Sequence, residues 1–148
     1  MIVVEIQGEL PRILSAKDAI AAVRAAAKAI KKPARGAISV AFVEAKEMRL
    51  LNRAWRQINK TTDVLSFASE SAFPLPKGED QPIGDLFLDA EYIKEEARKR
   101  KISFREELIR NLVHGTLHLY GYDHATPEEE KVMFGIQERV VHSCGKVL

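Results

Sequence analysis

Cysteine is nearly absent from this sequence of 148 residues; Cys144 stands alone. One thiol excludes an intrachain disulfide framework and a zinc site built from four cysteines. Aromatic residues make up only 7% of the chain, so no broad platform for stacking nucleobases is evident. Long hydrophobic runs are missing as well. The longest uncharged stretch, Asn111 to Tyr122, is too short and too polar to span a bilayer. The start, Met1 to Ile6, lacks a basic segment and carries Glu5, so it does not read as a signal peptide. These absences predict a soluble, cytoplasmic protein kept in a reduced compartment. The length predicts one domain, residues 1–148.

A strong charge of either sign is also lacking: the formal net charge is +2. That total hides an asymmetry, with +7 over residues 1–60 and −5 over residues 61–148. A basic half can form an electrostatic footprint for nucleic acid, or its charges can disperse over the folded surface. Lys31 to Arg35 and Arg98 to Lys101 are the basic stretches. Either can contact phosphate or simply form a solvated helix end.

Apolar periodicity predicts strands at Ile2 to Ile6, Ala37 to Val43, Asp63 to Ala68 and Ile83 to Asp89, the last with Asp85 opposite Leu86. Ser15 with Asp18 predicts an N-cap and a helix to about Lys32, buried along Ile20, Val23, Ala27 and Ile30. Pro33 and Gly36 would stop it. A helix from Lys46 to about Gln57 would turn Met48, Leu51 and Trp55 inward. Ser69 to Pro82 is a loop by composition. Ala90 to Arg100 reads as a helix, and Ser103 with Glu106 is a capping box opening the next one. Gly121 is placed to end that helix, and Thr126 with Pro127 starts the last. The expected fold is α+β (mixed α/β), with a sheet of about four strands and about five helices, and a metal site at the end of a central helix.

Three of the four histidines fall in one window, His114-Gly-Thr-Leu-His118-Leu-Tyr-Gly-Tyr-Asp-His124. Histidines four apart on a helix share a face, with Cβ atoms roughly 5–6 Å apart. Gly121 permits a sharp turn that can swing His124 back as a third ligand. Three neutral imidazoles with an open fourth position describe a catalytic zinc site rather than a closed structural one. Nickel and copper accept such ligands too. His142 has no comparable partner in the sequence. Metzincin proteases share this spacing but place a glutamate general base after the first histidine. Gly115 stands there, which argues against a peptidase.

Leu51-Asn-Arg-Ala-Trp-Arg56 leads into Thr61-Thr-Asp-Val-Leu-Ser-Phe67. With Ile83-Gly-Asp-Leu86 and the histidine window, these segments closely resemble the YbeY family of endoribonucleases, also called rRNA maturation factors. The resemblance runs from about Leu50 to His124. Asn59 replaces the family's aspartate and Thr61 its proline, which should loosen the turn before the strand without removing a metal ligand. The resemblance implies metal-dependent cleavage of single-stranded RNA, in 16S rRNA 3′-end maturation and ribosome quality control. The implied partners are an rRNA precursor and the small ribosomal subunit, with neither DNA nor a membrane. Zn2+ bound by His114, His118 and His124 is the expected cofactor. Arg56 matches the family's functional arginine and would stabilise the phosphoryl charge as the catalytic residue. Asp63, Asp85, Asp123 or a water on the metal could act as base. Two alternatives are a non-enzymatic ribosome-assembly factor with a structural metal and a metallopeptidase-type hydrolase.

Overall fold

The computed structural model describes residues 1–30, 35–69 and 80–147, except the side chains of 146 and 147. Among them the chain order is β1 (Ile2–Gln7), α1 (Ala16–Ala29), β2 (Gly36–Phe42), α2 (Ala45–Arg56), β3 (Val64–Ala68), β4 (Pro82–Leu88), α3 (Ala90–Arg100), α4 (Phe104–Leu119) and α5 (Pro127–Val147). The expected mixed architecture of one four-stranded sheet and five helices is what forms. The first helix ends at Ala29, short of Lys32, with Ile30 as its C-cap. Lys31, Lys32, Pro33 and Ala34 lie outside the described residues, as does the centre of the expected loop, residues 70–79. No helix among the described residues is long and apolar enough to cross a membrane.

The sheet order is β1-β2-β4-β3. β1, β2 and β4 run parallel, and β3 pairs antiparallel with β4. Alternation along the strands gives the sheet two unlike faces. Ile2, Val4, Ile38, Val40, Leu86 and Leu88 are buried on one of them and join the core with the helices. Phe67, Asp85 and Phe87 belong to the other. There Trp55 of α2 lies 5.6 Å from Phe67, and Phe67 lies 5.7 Å from Phe87, centroid to centroid.

α4 is the central helix, touched by α1, α3, α5, β3 and β4. Leu108, Leu112, Val113 and Leu117 are fully buried along it. Each contributes about 1.5–3 kcal/mol by leaving water. The capping box forms as the sequence predicts, with the Ser103 hydroxyl accepting from the Glu106 amide at 3.0 Å. Gly115 permits the close approach of α4 to the sheet. A Cβ there would lie 2.9 Å from Leu86 Cδ2 and 3.2 Å from Ser66 Oγ.

One expectation for α2 fails. Met48 is buried as predicted, but Trp55 is 65% exposed and Asn52, at 2%, takes the inward place. Asn52 Nδ2 donates to the Lys60 carbonyl at 2.8 Å, fixing the turn after the helix. That turn is also pinned by Thr61, whose hydroxyl donates to Asp89 Oδ2 at 2.8 Å. Threonine thus holds by a side-chain hydrogen bond what proline would hold by its ring.

Candidate metal centre

His114 and His118 occupy the last turns of α4, one turn apart on the same face. Gly121 follows with φ +94°, in the left-handed region where glycine is unstrained. Its amide and that of Tyr122 donate to the His118 and Leu117 carbonyls. The reversal returns the chain, and His124 comes back beside the helix end. One ring nitrogen from each of His114, His118 and His124 lies within 4.8 Å of the others. The His114 and His118 Nε2 atoms are 3.1 Å apart. Two nitrogens at about 2.0–2.1 Å from one tetrahedral ion would be about 3.3 Å apart, so this spacing fits a shared zinc.

The donor chemistry fits as well. His114 Nδ1 is 2.7 Å from Gln137 Oε1, on α5. The amide is oriented by its other end, because Gln137 Nε2 donates to Glu138 Oε2 at 3.0 Å. Gln137 therefore accepts the Nδ1 proton, and the His114 Nε2 lone pair faces His118 and His124. Burial, the largest influence, holds both the His114 and His118 rings below the ordinary imidazole range. Metal ligands must be neutral imidazoles, so this environment favours the ligating form. Phe134 of α5 packs its ring 6.1 Å from His114 and 5.8 Å from His124.

These rings form one wall of an open cleft of about 880 Å3. Trp55 and Arg56, at the end of α2, line it too, together with Val64 to Ala68 of β3. The cleft therefore runs along β3, the edge strand of the sheet among the described residues. Asp63 and Asp123 border it, whereas Asp85 does not. Asp85 sits on the sheet face opposite α4, exposed and outside the cleft. Asp63 Oδ1 accepts the Val64 amide at 2.8 Å, and Asp123 Oδ1 accepts the His124 amide at 2.8 Å. His142 is exposed on α5 and lies outside the cleft. In the basic stretch ending α3, Arg98 pairs with Glu95 and Lys99 with Glu96, while Arg100 lines the cleft.

Whole-chain comparison agrees with this geometry. Residues 7–145 match the family model described as Endoribonuclease YbeY. The chain belongs to the YbeY family. Its relatives include an Endoribonuclease YbeY of Lacticaseibacillus casei, 39% identical over 121 residues covering 80% of each chain. Another, from Staphylococcus carnosus, is 42% identical over 110 residues, covering 73% of this chain and 72% of its own. A Thermotoga maritima protein solved in solution superposes with a TM-score of 0.63 at 28% identity, over 96% of this chain and 89% of that one.

Sequence reasoning missed three contributors to this YbeY cleft. Gln137 is 7% exposed and interrupts the apolar stripe of α5 that holds Met133, Val140 and Cys144. A lone amide in such a stripe is a readable signal for a buried partner. Phe134 shows no signal of its own. Glu107, 3% exposed, leaves Oε2 without a hydrogen bond below the cleft. Burial pushes its carboxyl above the usual range despite Arg110 and Arg100 nearby.

Proposed function

We propose that this protein is a metal-dependent endoribonuclease, a hydrolase that cuts single-stranded RNA. His114, His118 and His124 hold one zinc ion, and Arg56 is the catalytic residue. The reading is carried by one observation: three imidazole ligand atoms converge within 4.8 Å on a cleft that Arg56 also lines. The names of the relatives favour the same activity. On this reading residues 1–148 work as one hydrolase domain in the cytoplasm. It acts in 16S rRNA 3′-end maturation and ribosome quality control, with precursor rRNA and the small ribosomal subunit as partners.

When bound, the ion supplies Lewis acidity toward a phosphoryl oxygen. Every other part of the work falls to the chain. Gln137 keeps the His114 proton on Nδ1 and so keeps Nε2 available. Arg56 grips two phosphate oxygens with its planar guanidinium and offsets the charge that builds there as water attacks and the ester bond breaks. Asp63 and Asp123, which line the cleft, are the candidate carboxylates to take the water's proton, if the ion-bound water does not itself serve. A peptidase glutamate has no room at position 115, where even a Cβ crowds Leu86.

Elemental analysis of the purified protein should find zinc, and a chelator should stop cleavage of single-stranded RNA. His114→Ala and Arg56→Ala should each slow cleavage by about 100-fold or more, the scale of a lost charge-stabilising group. Cleavage that survives both substitutions in folded protein refutes the reading. Full rescue of rRNA maturation by His114→Ala would instead mark a non-enzymatic assembly factor.

A further inference from the structure

We propose that Trp55 is a base-stacking residue, whose exposed indole holds a nucleobase of the strand whose phosphate Arg56 grips. The inference rests on the nuclease reading above and names how that site takes its substrate. Large apolar side chains are normally buried, yet Trp55 is 65% exposed. Its exposure is also placed: Trp55 lines the cleft with Arg56 and the three histidines. Leu50 is 54% exposed on the same helix but lies outside the cleft. Phe67 supports the indole from one side at 5.6 Å, with the planes inclined at 60°. One edge of the indole is held, and its remaining surface is open to a flat ligand.

The neighbouring groups suit a single nucleic-acid strand. Arg56 has no ion-pair partner among the described residues, so its guanidinium is available to phosphate. β3 adds an edge that pairs with no further strand among the described residues. Asp89 N donates to the Asp63 carbonyl and Ser69 N to the Ile83 carbonyl, so the odd-numbered residues of β3 face β4. The amides and carbonyls of Ser66 and Ala68 therefore point away from the sheet, toward the cleft. Donors and acceptors in alternation complement the edges of unpaired bases, which a duplex would hide. A stacking ring, and a guanidinium and a strand edge without partners among the described residues, together match a single nucleic-acid strand with its bases splayed out.

Trp55 is the only tryptophan in the chain, so its emission reports this ring alone. The purified protein is titrated with a single-stranded 2′-O-methyl oligonucleotide, chosen to resist cleavage. Saturable quenching is expected. An abasic strand of equal length and charge should bind more weakly and leave the emission unchanged. Trp55→Ala should weaken binding about tenfold, and Trp55→Phe should retain most of it, since one stacked base carries that scale of affinity. With cleavable RNA, Trp55→Ala should raise KM with kcat little altered, the mark of uniform binding. Circular dichroism checks that both variants fold. Absent quenching, equal quenching by the abasic strand, or unchanged affinity in Trp55→Ala overturns the proposal. Unchanged affinity beside intact RNA cleavage would overturn the stacking and leave the nuclease reading standing. Base-dependent quenching without any RNA cleavage by zinc-loaded protein would do the reverse.

Discussion

Replacing Gln137 with methionine should weaken zinc binding by about 10- to 100-fold, or about 1.4–2.8 kcal/mol, the usual cost of losing a metal ligand's hydrogen-bond partner. Methionine fills similar volume in the α5 stripe but offers His114 Nδ1 no useful acceptor. Two outcomes are open to the ring, and both cost affinity. If the proton stays on Nδ1, a buried donor at 2.7 Å from its former partner goes unsatisfied, at about 1–3 kcal/mol. If the proton moves to Nε2, it takes the lone pair that faces His118 across 3.1 Å. The zinc-free protein separates the two cases: the first lowers its urea midpoint, whereas the second spares it by donating to the His118 ring. The assay is competition for zinc against a calibrated chelator, paired with urea unfolding of the stripped protein. Gln137→Glu supplies a stronger acceptor and should hold zinc at least as tightly as the parent. In a His114→Ala background, Gln137→Met should have no further effect on zinc. Parental zinc affinity in Gln137→Met refutes the assignment of Gln137 as the residue that orients His114.

The pH dependence of the zinc-free protein has a definite sign. Burial lowers the His114 and His118 pKa values in the fold, so the unfolded chain binds their protons more readily. Stability should therefore be fully present above about pH 6.5 and fall as pH drops through the lowered folded values. Urea midpoints at about pH 7.5 and about pH 5.5 check this, and substituting both histidines with asparagine should flatten the difference. Gly84→Ala should lower the thermal midpoint markedly. Its Cβ would lie 2.5 Å from the Phe67 carbonyl oxygen and 2.6 Å from Leu119 Cδ2, where β3 backbone cannot yield cheaply. Overpacking of this kind costs about 1–3 kcal/mol, and each kcal/mol is about 2–4 °C at this chain length. An unchanged midpoint would show that β3 slides freely on β4.

The clustering of the three histidines was legible in the sequence because it is local. Helical spacing brings His114 and His118 together, one glycine reverses the chain, and no tertiary knowledge is needed. Strand and helix positions were legible for the same reason, through caps at Ser15 and Ser103 and alternation at Asp85 and Leu86. The strand order was not, since β1, β2 and β4 come together only across long intervals of chain. Trp55 was misjudged because periodicity reports which residues share a face, not how far the covering surface extends. Its helix ends at Arg56 beside β3, where Phe67 covers only one side of the indole. Gln137 and Phe134 belong to α5 and reach the site only because that helix packs on α4. Asp85, one of several candidate bases, stands apart from the cleft because strand alternation sends it to the face opposite the histidine-bearing helix.

Position 115 links the packing to the chemistry. It lies between the two helical histidines and faces the sheet. Ser66 Oγ donates to its carbonyl at 3.3 Å, and the Val64 and Leu86 side chains stand where a Cβ would go. Any larger residue must displace the Leu86, Ser66 and Val64 side chains or shift α4. A shift of α4 would alter the gap between the histidine wall and Arg56, which on the proposed reading must act together on one phosphate. A glutamate at this position, as the peptidase pattern has it, would crowd the close helix–sheet contact seen here. Glycine therefore does two things at once: it leaves out the proton acceptor of the protease pattern, and it lets α4, which carries two of the clustered histidines, pack closely on the sheet beside the cleft that Arg56 also lines.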